Sequence, residues 1–188
     1  MLLSLFKEGA FMQMIKEEDL NLLITEAEIQ EEISRLSEKL NKIYNNEELY
    51  LICVLKGSVM FMTDLAKHLK MPVKMEFIRL SSYGSGFTST GRVSAVDISL
   101  PDLNNKNVMI VEDIIDTGHT AKFLIDFIHH NFKPKSLKFC SLLDKKCKRE
   151  VEIDADFYCF EVDDKFLVGY GLDYDGYYRN IPYIGYVR

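Results

Sequence analysis

Val108-Met-Ile-Val-Glu-Asp-Ile-Ile-Asp-Thr-Gly-His-Thr120 is the stretch on which the fold turns. Val108 to Val111 form an apolar run without alternation, which reads as a strand buried on both faces of a sheet. The run leads into two adjacent carboxylates, Glu112 and Asp113, and after two further hydrophobes into Asp116-Thr-Gly-His-Thr120, where a helix opens. Adjacent strand residues face opposite sides, so both acids could be plain surface residues. At the carboxyl end of so buried a strand they would lie at a ligand crevice, where paired acids suit sugar hydroxyls or Mg²⁺. A turn centred on Gly118, with backbone N–H groups, two hydroxyls and the positive end of a helix, suits a phosphate. The alternative is an ordinary Asp/Thr cap with glycine in the turn. The stretch is not a P-loop, since G-x-x-x-x-G-K-[ST] is absent.

Outward from this stretch, apolar runs alternate with helical patterns. Strands are expected at Leu49 to Leu55, Val73 to Leu80, Asn107 to Glu112 and Ser136 to Leu143, and helices at Val59 to Leu69 and Thr120 to Asn131. Upstream, Thr25-Glu-Ala-Glu28 is a capping box, followed by Ile29, Ile33, Leu36, Leu40 and Ile43 at spacings of four and three, the pattern of an amphipathic helix. Such alternation predicts an α/β domain with a mainly parallel sheet. Ser81-Ser-Tyr-Gly-Ser-Gly-Phe-Thr-Ser-Thr-Gly91 interrupts it and reads as a mobile excursion between strands.

The chain has 188 residues, 47% hydrophobic and 28% charged, which fits one domain with a real core and excludes wholesale disorder. Its net charge of −6 argues against coating nucleic acid or anionic membrane. All of that charge comes from Lys16 to Glu32, one basic residue against seven acidic, most simply a solvated helix face. Residues 51–150 carry 15 basic against 10 acidic residues, an excess expected to serve phosphates, and residues 151–188 carry 3 against 8. The four cysteines and four histidines show no zinc-ligand spacing, so the thiols read as free in a reducing cytosol. Met1 to Phe6 is apolar but lacks a basic flank, a poor signal peptide, and no membrane span is expected.

The quoted stretch resembles the phosphoribosyl-diphosphate (PRPP) signature of the type I phosphoribosyltransferases. Leu55-Lys-Gly-Ser58, Ser82-Tyr-Gly84 and Asp164-Lys-Phe-Leu-Val-Gly-Tyr-Gly-Leu-Asp173 with Tyr178-Arg179 extend the likeness to the hypoxanthine or hypoxanthine-guanine subgroup, over roughly residues 20–185. The resemblance implies a cytoplasmic purine-salvage enzyme that joins a 6-oxopurine to C1 of PRPP and releases pyrophosphate, with Mg²⁺, through an oxocarbenium-like transition state. It implies that Glu112 and Asp113 hold the ribose diol and the metal environment, and that Asp116 takes the proton from purine N7, with helix capping as its ordinary role. Asp116, Thr117, Gly118, His119 and Thr120 would form the 5′-phosphate loop; His119 stands where relatives often have Lys, Arg or Asn, so its backbone N–H should matter more than its ring.

Lys145 would donate to the purine 6-oxo group, although by itself it is one of a run with Lys146, Lys148 and Arg149 whose default reading is a solvated basic cluster. Phe166 would stack on the base, with Leu167 beside it, although a Phe in an apolar run is usually core. Asp173 would reach a metal-bound water and the purine's edge, and Arg179 the pyrophosphate. Lys56 and Gly57 would form a second anion site for pyrophosphate, with a non-proline cis peptide between Leu55 and Lys56; the alternative is a plain strand-to-helix turn. Ser82 and Tyr83 would belong to a flexible loop, about residues 82–91, that closes over the reacting centre. A single domain, residues 1–188, would carry a small hood lobe from the N-terminal residues and about 164–188. The implied partners are PRPP and a 6-oxopurine, with no nucleic acid or membrane, in a homodimer or homotetramer. A PRPP-fold regulator without turnover, or a phosphoribosyltransferase for another base, are the competing readings.

Overall fold

The computed structural model describes residues 20–82 and 93–187. In chain order the elements are β1 (Leu20–Ile24), α1 (Glu26–Tyr44), β2 (Leu49–Leu55), α2 (Val59–His68), β3 (Val73–Ser82), β4 (Val93–Asp97), β5 (Asn107–Ile115), α3 (His119–Asn131), β6 (Ser136–Asp144), β7 (Phe157–Glu161), β8 (Leu167–Val168) and β9 (Ile184–Val187). β2 has no polar face, and every residue from Leu49 to Val54 is buried, so it can only be an interior strand. It lies between β3 and β5, parallel to both, in a six-stranded sheet of order β4-β3-β2-β5-β6-β7. β6 and β7 continue the parallel arrangement, and β4 alone runs antiparallel at the edge.

Along β5 the side chains alternate between two cores. Met109 and Val111 join Leu51, Cys53, Phe61 and Leu65 under α1 and α2, whereas Val108 and Ile110 join Ile52, Leu124 and Ile128 under α3. The sheet is thus covered on both faces, the expected mainly parallel α/β architecture. Strand order reverses between β2 and β5, and at such a switch point the loops leaving the two strands part and open a crevice. β1, β9 and β8 form a separate three-stranded antiparallel sheet that joins residues before α1 to the end of the chain.

α1 begins at the expected capping box, with Thr25 and Glu28 bonded reciprocally. Ile29, Ile33, Leu36 and Leu40 are buried, but Ile43 is exposed and Tyr44 takes the last inward position, because a spacing of four from Leu40 keeps the stripe on the core. Glu26, Glu28 and Glu31 are exposed on the solvated face, with Glu31 and Glu32 paired to Arg35. β1, β4, β7, β8 and β9 are short strands that the apolar runs did not announce. The expected loop, Tyr83 included, lies outside the described residues, and Ser82 ends β3. Among the described residues no helix is long and apolar enough to cross a membrane.

Candidate active site

A cavity of about 250 Å³ opens at the switch point, lined among others by Lys56 and Gly57 after β2, Glu112 and Asp113 near the end of β5, Thr120 in the first turn of α3, and Asp173 and Arg179 from the tail. Four segments distant in sequence meet there. β5 runs two residues past the two acids to Ile115, so they belong to the strand itself. Strand alternation sends Glu112 toward the α3 side and Asp113 toward Gly57. A Cβ on Gly57 would sit 1.5 Å from Asp113 Oδ2, so only glycine admits that carboxyl. The Leu55–Lys56 peptide is cis, as the resemblance implied.

Burial raises the Glu112 carboxyl well above its ordinary value, and the charge of Asp113 adds to the shift. Asp113 is pushed up to about 6 by burial, against the pull of backbone N–H groups and the Arg179 guanidinium. Arg179 pairs with Asp173 at 2.6 Å and donates to the Gly171 carbonyl, also at 2.6 Å. Asp173 accepts in addition from the Gly176 N–H. Glu112, Asp113 and Asp173 all line the cavity, and among the described residues no group of three acidic, histidine or cysteine side chains is placed to hold a metal ion by itself. Mg²⁺ commonly takes one or two carboxylates together with substrate phosphates, and the Glu112–Asp113 pair fits that requirement.

The turn after β5 differs from an ordinary capped helix. The residue preceding α3 is Gly118, left-handed at φ 87°, and no side chain caps the helix. Asp116 is therefore free of a capping role, and its Oδ1 is buried without a hydrogen-bond partner. His119 spends its ring on Glu150, at 2.8 Å, leaving its backbone to the turn. β6 runs beside β5 to Asp144, and the Lys145 N–H donates to the Ile115 carbonyl, which sets Lys145 next to Asp116. The Lys145 side chain is buried and its Nζ donates to the Lys165 carbonyl at 2.9 Å, beside Phe166. Phe166 is no core residue: it is 48% exposed and meets Tyr174 edge-on, while Leu167 is buried in β8.

The default reading of the basic run after β6 holds for the exposed Lys146 and Lys148 and fails for Lys145 and Arg149. Lys145 is buried, Lys146 pairs with Glu161, Lys148 with Asp164, and Arg149 with the buried Asp144. Part of the positive excess of the middle of the chain lies away from the crevice. Lys74 and Lys106 share Glu48, Lys135 pairs with Glu47 and Lys138 with Asp156, all near the amino ends of the strands. Arg149 was invisible as a structural residue because two of its acceptors are backbone carbonyls, those of Asp116 and Ile153, which no side-chain pattern displays.

The phosphoribosyl transferase domain family matches residues 23–175, from β1 to just beyond Asp173, so the class is a phosphoribosyltransferase. The hypoxanthine-guanine phosphoribosyltransferase of Bacillus subtilis is 41% identical over 93% of this chain and 97% of that enzyme, and the hypoxanthine phosphoribosyltransferase of Haemophilus influenzae 39% over 92% and 98%. A solved Staphylococcus aureus hypoxanthine phosphoribosyltransferase superposes with a TM-score of 0.87 at 39% identity, covering 94% of this chain and 96% of that one. The chain belongs to the hypoxanthine and hypoxanthine-guanine phosphoribosyltransferase family. It is also 43% identical to bifunctional TilS/HprT proteins of Listeria monocytogenes, of whose length it spans 26%.

Proposed function

We propose that the chain transfers the 5-phosphoribosyl group of PRPP to hypoxanthine, with guanine as a second acceptor, giving the nucleoside 5′-monophosphate and pyrophosphate. The observation that carries this reading is Asp116: a buried, unpartnered carboxyl oxygen beside a buried lysine, in the turn expected to hold the 5′-phosphate. In the reaction the bond from C1 to the pyrophosphate oxygen breaks and a bond from C1 to a purine nitrogen forms. The purine's surplus proton passes from N7 to Asp116, a positioned base worth about 10²–10⁴ in rate.

Lys145 supplies a donor that suits a 6-oxo group and leaves a 6-amino group unmatched, and Phe166 offers an exposed face to the base. Lys56, the Gly57 backbone and Arg179 take the pyrophosphate, and Thr117 to Thr120 the 5′-phosphate. Glu112 and Asp113 would hold the ribose diol and Mg²⁺, with Asp173 nearby; bound there, Mg²⁺ would offset the charge of the diphosphate. Ser82 and Tyr83 belong on this reading to a loop that screens the reacting centre from water. A single domain with its hood, a cytoplasmic setting and a homodimeric or homotetrameric state complete the proposal.

The test mixes purified protein with PRPP, Mg²⁺ and each of hypoxanthine, guanine, xanthine and adenine, and follows nucleotide formation. Product with 6-oxopurines and none with adenine is expected. No product with any base would sink the reading. Asp116→Asn should cut turnover about 10²-fold or more while nucleotide affinity stays within about threefold; equal loss of both would make Asp116 structural.

A further inference from the structure

Outside the residues assigned above, one largely buried side chain bonds the back of the turn after β5 and ties it to two neighbouring segments. Arg149 is largely buried, and its guanidinium donates from Nε to the Asp116 carbonyl at 3.0 Å, from one terminal nitrogen to the Ile153 carbonyl, and from the other to Asp144 Oδ1. Asp144 ends β6 and is 1% exposed. The next backbone group repeats the pattern, since the Glu150 N–H donates to the Thr117 carbonyl at 3.0 Å. Gly118 rests on the same segment, where an added Cβ would come within 2.7–2.9 Å of Ile153, Val151 and Arg149.

The direction of these bonds matters. Leu55–Lys56 is the cis peptide recorded among the described residues, and in a trans peptide N–H and C=O point opposite ways. Holding the Asp116 carbonyl against Arg149 turns the Thr117 N–H away from it, and holding the Thr117 carbonyl against Glu150 does the same for the Gly118 N–H. Two consecutive donors are thereby aimed at the open side of the turn, as an anion cradle requires. We propose that Arg149 is the positioning residue of the 5′-phosphate cradle: it orients the Thr117 and Gly118 amides and the Asp116 main chain without touching substrate. Its fork, anchored on Asp144, ties that cradle to the strand end that carries Lys145. A single ammonium could not bond all three acceptors in these directions.

The proposal rests on the phosphate reading of this turn, and two probes separate the two. Ribose 5-phosphate reports the cradle after β5, and inorganic pyrophosphate with Mg²⁺ reports the Lys56–Gly57 side. Both are titrated calorimetrically into the unaltered chain, Arg149→Lys and Arg149→Ala. The expected result is a loss of about 10- to 100-fold in ribose 5-phosphate affinity in both variants, with pyrophosphate affinity within about twofold. Equal losses for both ligands, or no loss, would overturn the proposal, as would full retention of ribose 5-phosphate binding by Arg149→Lys, which would make charge rather than the fork decisive. If Arg149→Ala does not fold, Arg149→Lys decides by the same selectivity. If the unaltered chain does not bind ribose 5-phosphate, the phosphate reading fails first and this inference with it.

Discussion

Asp113 and Glu112 are carboxyl groups kept where carboxylates are costly, and on the proposed function that cost bears on ligand binding. Asp113 is raised to about 6, above its unfolded value near 4, and Glu112 is raised as well. The free folded chain therefore binds more protons than the unfolded chain as pH rises from about 4 to about 6, so stability falls across that window. A ligand that needs the ionised carboxylates reverses the preference and must expel protons. Affinity for PRPP with Mg²⁺ should rise through about pH 6, and calorimetry near that pH should show heats that scale with buffer ionisation enthalpy. Asp113→Asn should lose the part of that dependence near pH 6, while the part set by the raised Glu112 carboxyl remains. Heats independent of buffer would contradict the assignment. The types of these two residues were legible in the sequence, but their titration was not, because it comes from burial by neighbours that the sequence does not place beside them.

At the scale of elements, the site is made by two strand-to-helix turns built differently from their sequence patterns. Lys56-Gly57-Ser58 and Asp116-Thr-Gly-His-Thr120 both read as anion turns or as ordinary caps, and local pattern could not choose between them. Long-range contacts show why each turn takes a glycine. In the first turn the glycine is required by close approach, since any Cβ would overlap the Asp113 carboxyl; in the second it supplies a left-handed φ and lies flat on Arg149, Val151 and Ile153. Gly57→Ala should push Asp113 out of place, raising the KM for PRPP and lowering turnover together by about 100-fold, with a stability cost of about 1–3 kcal/mol from overpacking. Steady-state kinetics beside a denaturant titration would check this, and near-normal kinetics would show that Asp113 has room to move. The strands without a readable pattern lie at the edges of the large sheet or in the three-stranded sheet, where two to five residues carry too little periodicity to be distinguished from loop.

Across the whole molecule, the tail is fastened to the core through one carboxylate on α2. The Tyr170 hydroxyl donates to Asp64 Oδ2 at 2.6 Å, Gln30 of α1 donates to the same oxygen at 3.1 Å, and Lys67 donates to Oδ1 at 2.8 Å. Next to Tyr170, Gly171 packs on the Gly57 carbonyl, so this latch seats the segment bearing Asp173 over the Lys56–Gly57 turn. Burial works to raise the Asp64 pKa, but the donors from Lys67, Tyr170 and Gln30 prevail and lower it. A lowered folded pKa contributes stability above the unfolded value and loses it as pH falls through the folded one. Asp64→Asn should cost about 2 kcal/mol near neutral pH, and the gap from the unaltered chain should close as pH drops below about 4. A gap that does not change with pH would show that the charge of Asp64 contributes nothing. The sequence by itself determined the parallel α/β core, the acid pair and the glycine turn, because periodicity and local chemistry are properties of contiguous residues. Only the tertiary structure decided that Asp116 caps nothing, that the basic run is paired and partly buried, that Lys74, Lys106, Lys135 and Lys138 pair near the amino ends of the strands, and that Arg149 backs the turn after β5. Those facts depend on residues tens of positions apart and on main-chain carbonyls, which every residue carries and no sequence pattern marks.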